Sequence, residues 1–146
     1  MLTGSYFNTI DVKGRVIIPT KLRYELGERV WLVKSTDPCL YIFTPKEWDD
    51  YTNQYINNRS MTDPKARKLQ RFTLGSSYEL EIDRQGRINI PQNLIDYAGI
   101  EKDVVLIGCS NRIEVWSAEA NEEDMSPENL YPDELMRDAS GAAAGD

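Results

Sequence analysis

The sequence predicts a mainly β fold with short helices (α+β), built from two tandem copies of one structural unit. Three observations support this prediction. The stretch IDVKGRVIIP at residues 10–19 returns as IDRQGRINIP at residues 82–91, an offset of 72 residues. In each copy a proline then opens a short helical segment, and two runs rich in Val, Ile and aromatic residues follow. Such runs favour strands, and a repeat of this kind indicates two copies of one supersecondary unit.

Each copy begins with two predicted strands joined by a tight turn. The turn of the first copy has the sequence Asp-Val-Lys-Gly. Aspartate at the first position caps a type I turn with its carboxylate, and glycine at the fourth adopts the left-handed conformation readily. We therefore assign hairpin-structural roles to Asp11 and Gly14, and to Asp83 and Gly86 in the second copy. The sequence predicts two β-hairpins.

The remainder of each copy is a helix followed by two strands. The helices are predicted over Thr20–Leu26 and Gln92–Ala98, each starting after a proline and ending before a glycine that suits a left-handed cap. Because one copy alone would bury only a marginal core, the copies must share one core or borrow one from neighbouring chains. The strand content favours a compact, barrel-like β core.

A helical connector is predicted between the two copies. Thr44-Pro45-Lys46-Glu47 is a capping box with proline at the first helical position, and it opens a helix to about Asn57. Asp63-Pro64 caps a second helix to about Phe72. The predicted organisation is repeat 1, a helical connector, repeat 2 and an acidic, partly disordered C-terminal tail, at residues 1–48, 49–74, 75–120 and 121–146.

The C-terminal region accounts for the whole of the net charge of −7. From Glu119 onward there are nine acidic residues against Arg137 alone, so the rest of the chain is nearly neutral. Ser117 caps a helix, Ser126 is expected to start one more, and residues 140–146 are expected to be disordered. A neutral body is compatible with DNA binding if its cations cluster. We expect the tail to limit random binding to nucleic acid, or to shield the basic turns until they meet DNA.

Enzyme and metal chemistry find little support in the sequence. There is no histidine, and Cys39 and Cys109 are the only cysteines, so histidine-dependent zinc sites and Ser-His-Asp triads are excluded. Phosphate-loop, dinucleotide and nucleophile-elbow motifs are absent. We predict no enzyme activity, no catalytic residue, no metal site, no cofactor and no small-molecule substrate. The apolar runs are too short to cross a bilayer and no signal peptide is evident, which predicts a soluble, cytoplasmic protein without a membrane partner.

Four cations near the turns are the best candidates for function. The turns require their aspartates and glycines but do not require Lys13, Arg15, Arg84 or Arg87. A β-ribbon fits the major groove of DNA, where arginine binds guanine O6 and N7 in bidentate fashion. Alternatively, each arginine pairs with the aspartate four residues earlier only to hold the hairpin. The two roles can coexist, because an aspartate can orient an arginine for a ligand.

The second connector helix presents a cationic face formed by Lys65, Arg67, Lys68 and Arg71. Such a face is more often simply solvated than used for binding. Lys65, Lys68 and Arg71 are therefore secondary candidates for contacts with DNA phosphates.

The paired motifs resemble those of the MraZ family, bacterial transcription regulators built from two tandem SpoVT-AbrB (AbrB-like) domains. The resemblance rests on Asp11…Arg15 and Asp83…Arg87, which match the signature of the family, and on the connector PKARKLQRFTLG at residues 64–75. It implies a pseudo-twofold, swapped-hairpin β-barrel formed by the two halves of one chain, where AbrB-like proteins use two chains. It also implies a ring-like homo-oligomer.

The family further implies binding to short direct repeats of double-stranded promoter DNA, and hence association with the nucleoid. The promoter is typically that of the division and cell-wall gene cluster that includes the regulator's own gene. The match ends near residue 120, so nothing is implied for the tail. Arg15 and Arg87 carry over as DNA contacts, and Lys13 matches the first tip. In the second turn the cation is Arg84, which lies one position earlier than Lys13 does in the first turn. This difference leaves open whether the two hairpins read DNA identically.

An oligomeric protein-interaction scaffold is the alternative interpretation. In that case the repeated unit serves only for assembly, and the hairpin arginines are purely structural. The two interpretations differ in what arginine removal does, because it abolishes DNA binding in the first and destabilises the protein in the second.

Overall fold

Both copies fold in the predicted order of strand, turn, strand, helix, strand, strand in the computed structural model, which describes residues 1–137. The first copy contains β1 (Ser5–Thr9), β2 (Arg15–Ile17), α1 (Thr20–Leu26), β3 (Arg29–Lys34) and β4 (Leu40–Phe43). The connector contains α2 (Pro45–Tyr51), a π-helical turn (Thr52–Ile56) and α3 (Pro64–Leu74). The second copy contains β5 (Tyr78–Glu81), β6 (Arg87–Asn89), α4 (Gln92–Ala98), β7 (Asp103–Gly108) and β8 (Ile113–Ser117), and α5 (Ala118–Asp124) follows.

The strands form one six-stranded antiparallel sheet and one two-stranded ribbon. The order in the sheet is β1-β7-β8-β4-β3-β5, and the ribbon pairs β2 with β6. The sheet is open, with β1 and β5 at its edges, so the described part of the chain contains no closed barrel sheet. The prediction of a β-rich fold with short helices, built from two tandem copies, is confirmed.

The predicted hairpins exist only as turns. The strands on either side of each turn pair with the other copy: β1 with β7, β5 with β3, and β2 with β6. The expectation of two-stranded hairpins was therefore wrong beyond the turns themselves. Turn chemistry is local and was read correctly, whereas strand partners are chosen by the apolar surface that pairing buries. An isolated two-stranded hairpin is only marginally stable in water.

Exchange of strands gives the two copies a shared main core. Val16 and Ile88 lie opposite each other in the ribbon, and each is only 1% exposed. They pack with buried residues from both copies, including Leu22, Leu94 and Leu106. The expectation that the copies share one core is confirmed, because the buried residues of this cluster come from both copies.

The connector helices begin where the sequence places them. The Oγ1 atom of Thr44 accepts a hydrogen bond from the backbone N–H of Glu47 at 3.2 Å, and the carboxylate of Asp63 accepts one from that of Lys65 at 3.0 Å. Trp48 is buried and stacks on Trp31, with 5.2 Å between ring centroids. Helix α3 buries Ala66, partly buries Leu69 and Phe72, and exposes the four predicted cations, Lys65, Arg67, Lys68 and Arg71.

The start of the tail follows the prediction only in part. Ser117 caps α5, since its Oγ accepts from the N–H of Ala120 at 3.0 Å. No helix starts at Ser126; its carbonyl accepts from the N–H of Asn129 at 2.9 Å and closes a turn instead, and helix resumes at 132–137. The segment 140–146, expected to be disordered, lies outside the described residues. None of the helices at residues 1–137 has the length and apolar content needed to cross a bilayer.

Candidate nucleic-acid interface

The turn of the first copy holds its arginine in place through one carboxylate. The Oδ1 atom of Asp11 accepts hydrogen bonds from the backbone N–H groups of Lys13 and Arg15, each at 2.9 Å. Its Oδ2 atom accepts from Nε of Arg15 at 2.7 Å. Gly14 completes the turn with φ of +84°, a left-handed conformation that other residues adopt only at a cost. The aspartate thus caps the turn and orients the arginine at the same time.

The second turn has the same geometry. Oδ1 of Asp83 accepts from the N–H groups of Gln85 and Arg87, each at 2.9 Å, and Oδ2 accepts from Nε of Arg87 at 2.8 Å. Gly86 has φ of +81°. The two copies therefore reproduce one arrangement, although the residues between aspartate and glycine differ.

These contacts hold both carboxyl groups in the ionised form. The backbone N–H of the arginine lowers the pKa of each aspartate below its ordinary value of 3.8, and the guanidinium acts in the same direction. A lowered pKa stabilises the folded turn above the ordinary pKa, and this contribution is lost only as the pH falls through the lower, folded value. Both turns consequently keep their ion pairs throughout the neutral pH range.

The ion pairs leave part of each guanidinium available. Arg15 and Arg87 use only Nε to bind their aspartates. Within residues 1–137, the terminal Nη1 and Nη2 atoms of both arginines make no hydrogen bond to the protein. The side chains are 31% and 25% exposed. This geometry is compatible with both roles considered from the sequence, because each arginine is paired within its turn and keeps two nitrogens without a hydrogen-bond partner in residues 1–137.

The ribbon places both arginines on one surface. Arg15 lies opposite Asn89, and Ile17 lies opposite Arg87. Opposite residues share a face of an antiparallel pair, and diagonal neighbours lie about 7–8 Å apart. Arg15 and Arg87 are such diagonal neighbours, on the face turned away from the core. The sequence placed them near the tips of two separate hairpins, whereas exchange of strands brings them together.

The other predicted cations lie in the two turns and on α3. Lys13 and Arg84 are exposed residues within the two turns. Neither has an ion-pair partner in the described residues. Lys65, Lys68 and Arg71 lie on α3, which packs against β3 and the π-helical turn, and they form a separate cationic face.

One cation near the turns was missed by the sequence analysis. Arg23 lies in α1, and its guanidinium rests against Gly86 of the second turn, where any added Cβ would overlap it. The residue 72 positions later is Ile95, which lies against Gly14 of the first turn. Alignment of the two copies shows arginine at this position in the first and isoleucine in the second, and this difference could have marked Arg23 as a candidate. The sequence alone does not connect this difference with the turns, because that connection requires each helix to lie over the turn of the other copy.

Comparison with known proteins identifies the family. Residues 1–72 and 73–125 each match the sequence model described as "MraZ protein, putative antitoxin-like". The chain belongs to the MraZ family. The resemblance inferred from the two turns and the connector is thereby confirmed.

Relatives within the MraZ family cover most of the chain. The "Transcriptional regulator MraZ" of Thermoanaerobacter sp. (strain X514) is 50% identical over 123 residues, which is 84% of this chain and 85% of that protein. The protein of the same name from Caldicellulosiruptor bescii is 44% identical over 137 residues, 94% of this chain and 95% of its own. The solution structure of PHS018 from Pyrococcus horikoshii covers 79% of this chain and 88% of its own, with 17% identity and a TM-score of 0.31, and supports no structural argument.

Proposed function

We propose that this protein is a DNA-binding transcriptional regulator without enzyme activity. The names of its MraZ relatives support this proposal. The observation that carries it is the ribbon face, where Arg15 and Arg87 are fixed by aspartates through Nε and expose their terminal nitrogens. Two parallel N–H donors on a planar group match the O6 and N7 acceptors of guanine in the major groove.

The aspartates contribute by fixing the arginines before DNA arrives. A free arginine loses side-chain entropy when it is immobilised on a ligand, and an arginine already held by a carboxylate loses less. In this mechanism Arg15 and Arg87 read base edges, while Lys13 and Arg84 contact phosphates on either side. Phosphate contacts position the protein, and base contacts give sequence preference. Lys65, Lys68 and Arg71 add phosphate contacts only if the DNA reaches α3.

The exchange of strands also supports the swapped-hairpin arrangement of AbrB-like proteins, here built within one chain. One ribbon offers few base contacts, so a single chain would bind DNA weakly. A homo-oligomer, such as a ring, that meets short direct repeats makes the later contacts intramolecular and raises the overall affinity. We therefore propose that the target is a promoter with direct repeats, that of the division and cell-wall cluster including the protein's own gene. Such binding places the protein in the cytoplasm, on the nucleoid.

Fluorescence anisotropy with the DNA upstream of the protein's own gene tests this function. The expected result is tight binding that requires at least two intact repeats and weakens steeply with salt, because phosphate contacts release counterions. Changing the spacing between repeats by about half a helical turn should remove the gain from the second repeat. Equal affinity for a scrambled duplex of the same length would contradict the proposal.

A protein-interaction scaffold is the second candidate, and one observation favours it. The Arg15–Asp11 and Arg87–Asp83 ion pairs, at 2.7 and 2.8 Å, close both turns and would do so without any DNA. In a scaffold, loss of the arginines would loosen the turns and change the size of the assembly. Substitution of Arg15 and Arg87 by alanine separates the two functions, because only a scaffold would lose stability and change its assembly size.

Neutralising the tail should strengthen random binding to DNA. The change replaces six exposed carboxylates by their amides, at Glu122, Glu123, Asp124, Glu128, Asp133 and Glu134. Substitution is preferable to truncation from residue 120, because Ala120 packs against the hydrophobic cluster that contains the buried Trp116. We expect a several-fold higher affinity for scrambled DNA at low salt, measured by anisotropy, and a difference that disappears near 0.5 M salt, where the Debye length is only about 4 Å. An unchanged affinity at low salt would show that the tail has no shielding role.

A further inference from the structure

The two ends of the ribbon differ in chemistry although their turns are alike. Each turn is covered by a helix of the other copy: α1 lies over the second turn and α4 over the first. At the first turn, a Cβ added to Gly14 would lie 3.3 Å from the Cδ1 atom of Ile95. At the second turn the equivalent neighbour of Gly86 is the guanidinium of Arg23. One end therefore has an apolar side chain where the other has a cation.

Arg23 is incompletely satisfied by the protein. Its Nη2 atom donates to the Oγ1 atom of Thr20 at 3.1 Å. Its Nε atom is buried and has no hydrogen-bond partner, and no carboxylate forms an ion pair with Arg23 in the described part of the chain. A buried donor without an acceptor is destabilising, and native proteins rarely leave one unless a ligand or water supplies the acceptor.

Arg23 lines a cleft of about 390 Å³ together with Arg84. Two of the three carboxylates in the lining already have partners, since Glu81 is paired with Arg29 at 2.8 Å and Asp83 with Arg87 at 2.8 Å. Glu28 is the remaining carboxylate, and it has no ion pair within residues 1–137. Two unpaired guanidinium groups thus face one unpaired carboxylate.

The corresponding cleft at the first turn lacks this cationic character. Its volume is about 200 Å³, and no lysine or arginine is among its lining residues. The positions equivalent to Arg23 and Arg84 are Ile95 and Val12, both in that lining. The charged residues of that lining are Asp11, which is paired with Arg15 at 2.7 Å, and Glu101. An anion would therefore find two unpaired guanidinium groups in the lining of the second cleft and no cation in the lining of the first.

We propose that the cleft formed by Arg23 and Arg84 binds a phosphate group of the DNA backbone. The proposal rests on the proposed DNA-binding function and deepens it. Planar guanidinium groups match the geometry of a phosphate, and the Nη1 atom of Arg23 makes no hydrogen bond within residues 1–137. Because only one end of the ribbon carries such a site, each chain is anchored to DNA asymmetrically and binds its repeat in one orientation.

Two substitutions test the site by giving the second end of the ribbon the side chains found at the first end. Arg23→Ile and Arg84→Val introduce the residues found at the equivalent positions of the first copy. Lys21→Asn is the matched control, because it also installs the residue of the other copy, Asn93, on α1 and removes one charge outside the cleft. Each cleft variant should reduce the slope of log affinity against log salt by about 0.9, the contribution of one phosphate. The melting temperature should not fall, because isoleucine packs against the glycine in the other copy.

Phosphate-by-phosphate substitution locates the contact and its orientation. Neutral methylphosphonates placed singly along one repeat should weaken wild-type binding more at one flank than at the other, and Arg23→Ile should remove that difference. Glu28→Gln should strengthen binding, because it removes the unpaired carboxylate. Equal sensitivity at both flanks, or an unchanged salt slope for Arg23→Ile, would overturn the site while leaving the DNA-binding function intact. Failure of the wild type to prefer repeat DNA would instead overturn the function.

Inorganic phosphate distinguishes a DNA site from a site for a free anion. In a titration followed through the Nε–H resonance of Arg23, millimolar phosphate should shift the signal only weakly, whereas repeat DNA should shift it fully. Saturation by inorganic phosphate, with no change in the salt slope of DNA binding, would assign the cleft to a free phosphate and contradict the proposed anchoring.

Discussion

Replacing Arg15 and Arg87 together by alanine will abolish sequence-dependent DNA binding in a protein that remains folded. Both guanidinium groups lie on the outer face of the ribbon, and their terminal nitrogens have no other partner in residues 1–137. A bidentate contact with a base contributes roughly 1–3 kcal/mol of discrimination. Loss of two such contacts predicts a decrease in affinity for repeat DNA of about a hundredfold or more. The aspartates still accept the backbone N–H groups, so the turns should persist.

Anisotropy with repeat and scrambled duplexes measures the loss, and thermal unfolding measures the fold. The control is Lys46→Ala with Arg59→Ala, which removes the same charge from exposed positions outside the ribbon and the tail. We expect the ribbon variant to melt within about 3 °C of the wild type, since surface substitutions have small effects. If the control variant loses as much affinity for repeat DNA, then Arg15 and Arg87 contribute only through their positive charge and not through specific contacts with bases. A ribbon variant with a much lower melting temperature and an altered assembly size would favour the scaffold.

Ile88→Ala will destabilise the protein by about 2–5 kcal/mol, the range for truncating a buried isoleucine. Ile88 is 1% exposed and lies opposite Val16, where the ribbon covers the shared core. Because strands of both copies are exchanged, we expect one cooperative transition in urea for the wild type and the variant alike. Tryptophan fluorescence and far-ultraviolet circular dichroism should give the same midpoint.

Asn89→Ala is the matched control for that substitution. Asn89 follows Ile88 in β6 but is exposed, so its loss should change stability by no more than about 0.5 kcal/mol. Two separate transitions, or equal effects of the two substitutions, would show that the copies fold independently and that the ribbon does not join them.

Features specified by local sequence could be predicted. Helices α1 and α4 have the predicted bounds, and Thr44, Asp63 and Ser117 cap the helices expected of them. Capping and turn formation depend on residues within a few positions of one another, so the sequence contains the whole interaction. Strand pairing was not predictable in this way. Residues 15–17 pair with residues 87–89, and nothing near either segment specifies the other.

In the candidate site, too, local contacts could be predicted from the sequence and contacts between the two copies could not. The Asp11–Arg15 and Asp83–Arg87 pairs could be anticipated, because a tight turn brings residues four positions apart into contact. Their placement on one ribbon face could not, because it requires strands from different copies to meet. Arg23 was missed for the same reason, since its neighbour Gly86 lies 63 positions away in the chain.

Replacing both ribbon arginines by lysine separates recognition from charge. Lysine keeps the positive charge but has neither the Nε–H that binds the aspartate nor the planar fork that binds guanine. The measurement is the affinity of Arg15→Lys/Arg87→Lys for repeat and scrambled DNA across a salt series. If the oriented arginines read bases, the preference for repeat DNA falls at least tenfold while the salt slope stays close to that of the wild type. A lysine protein that retains the full preference would show that sequence is read elsewhere on the molecule.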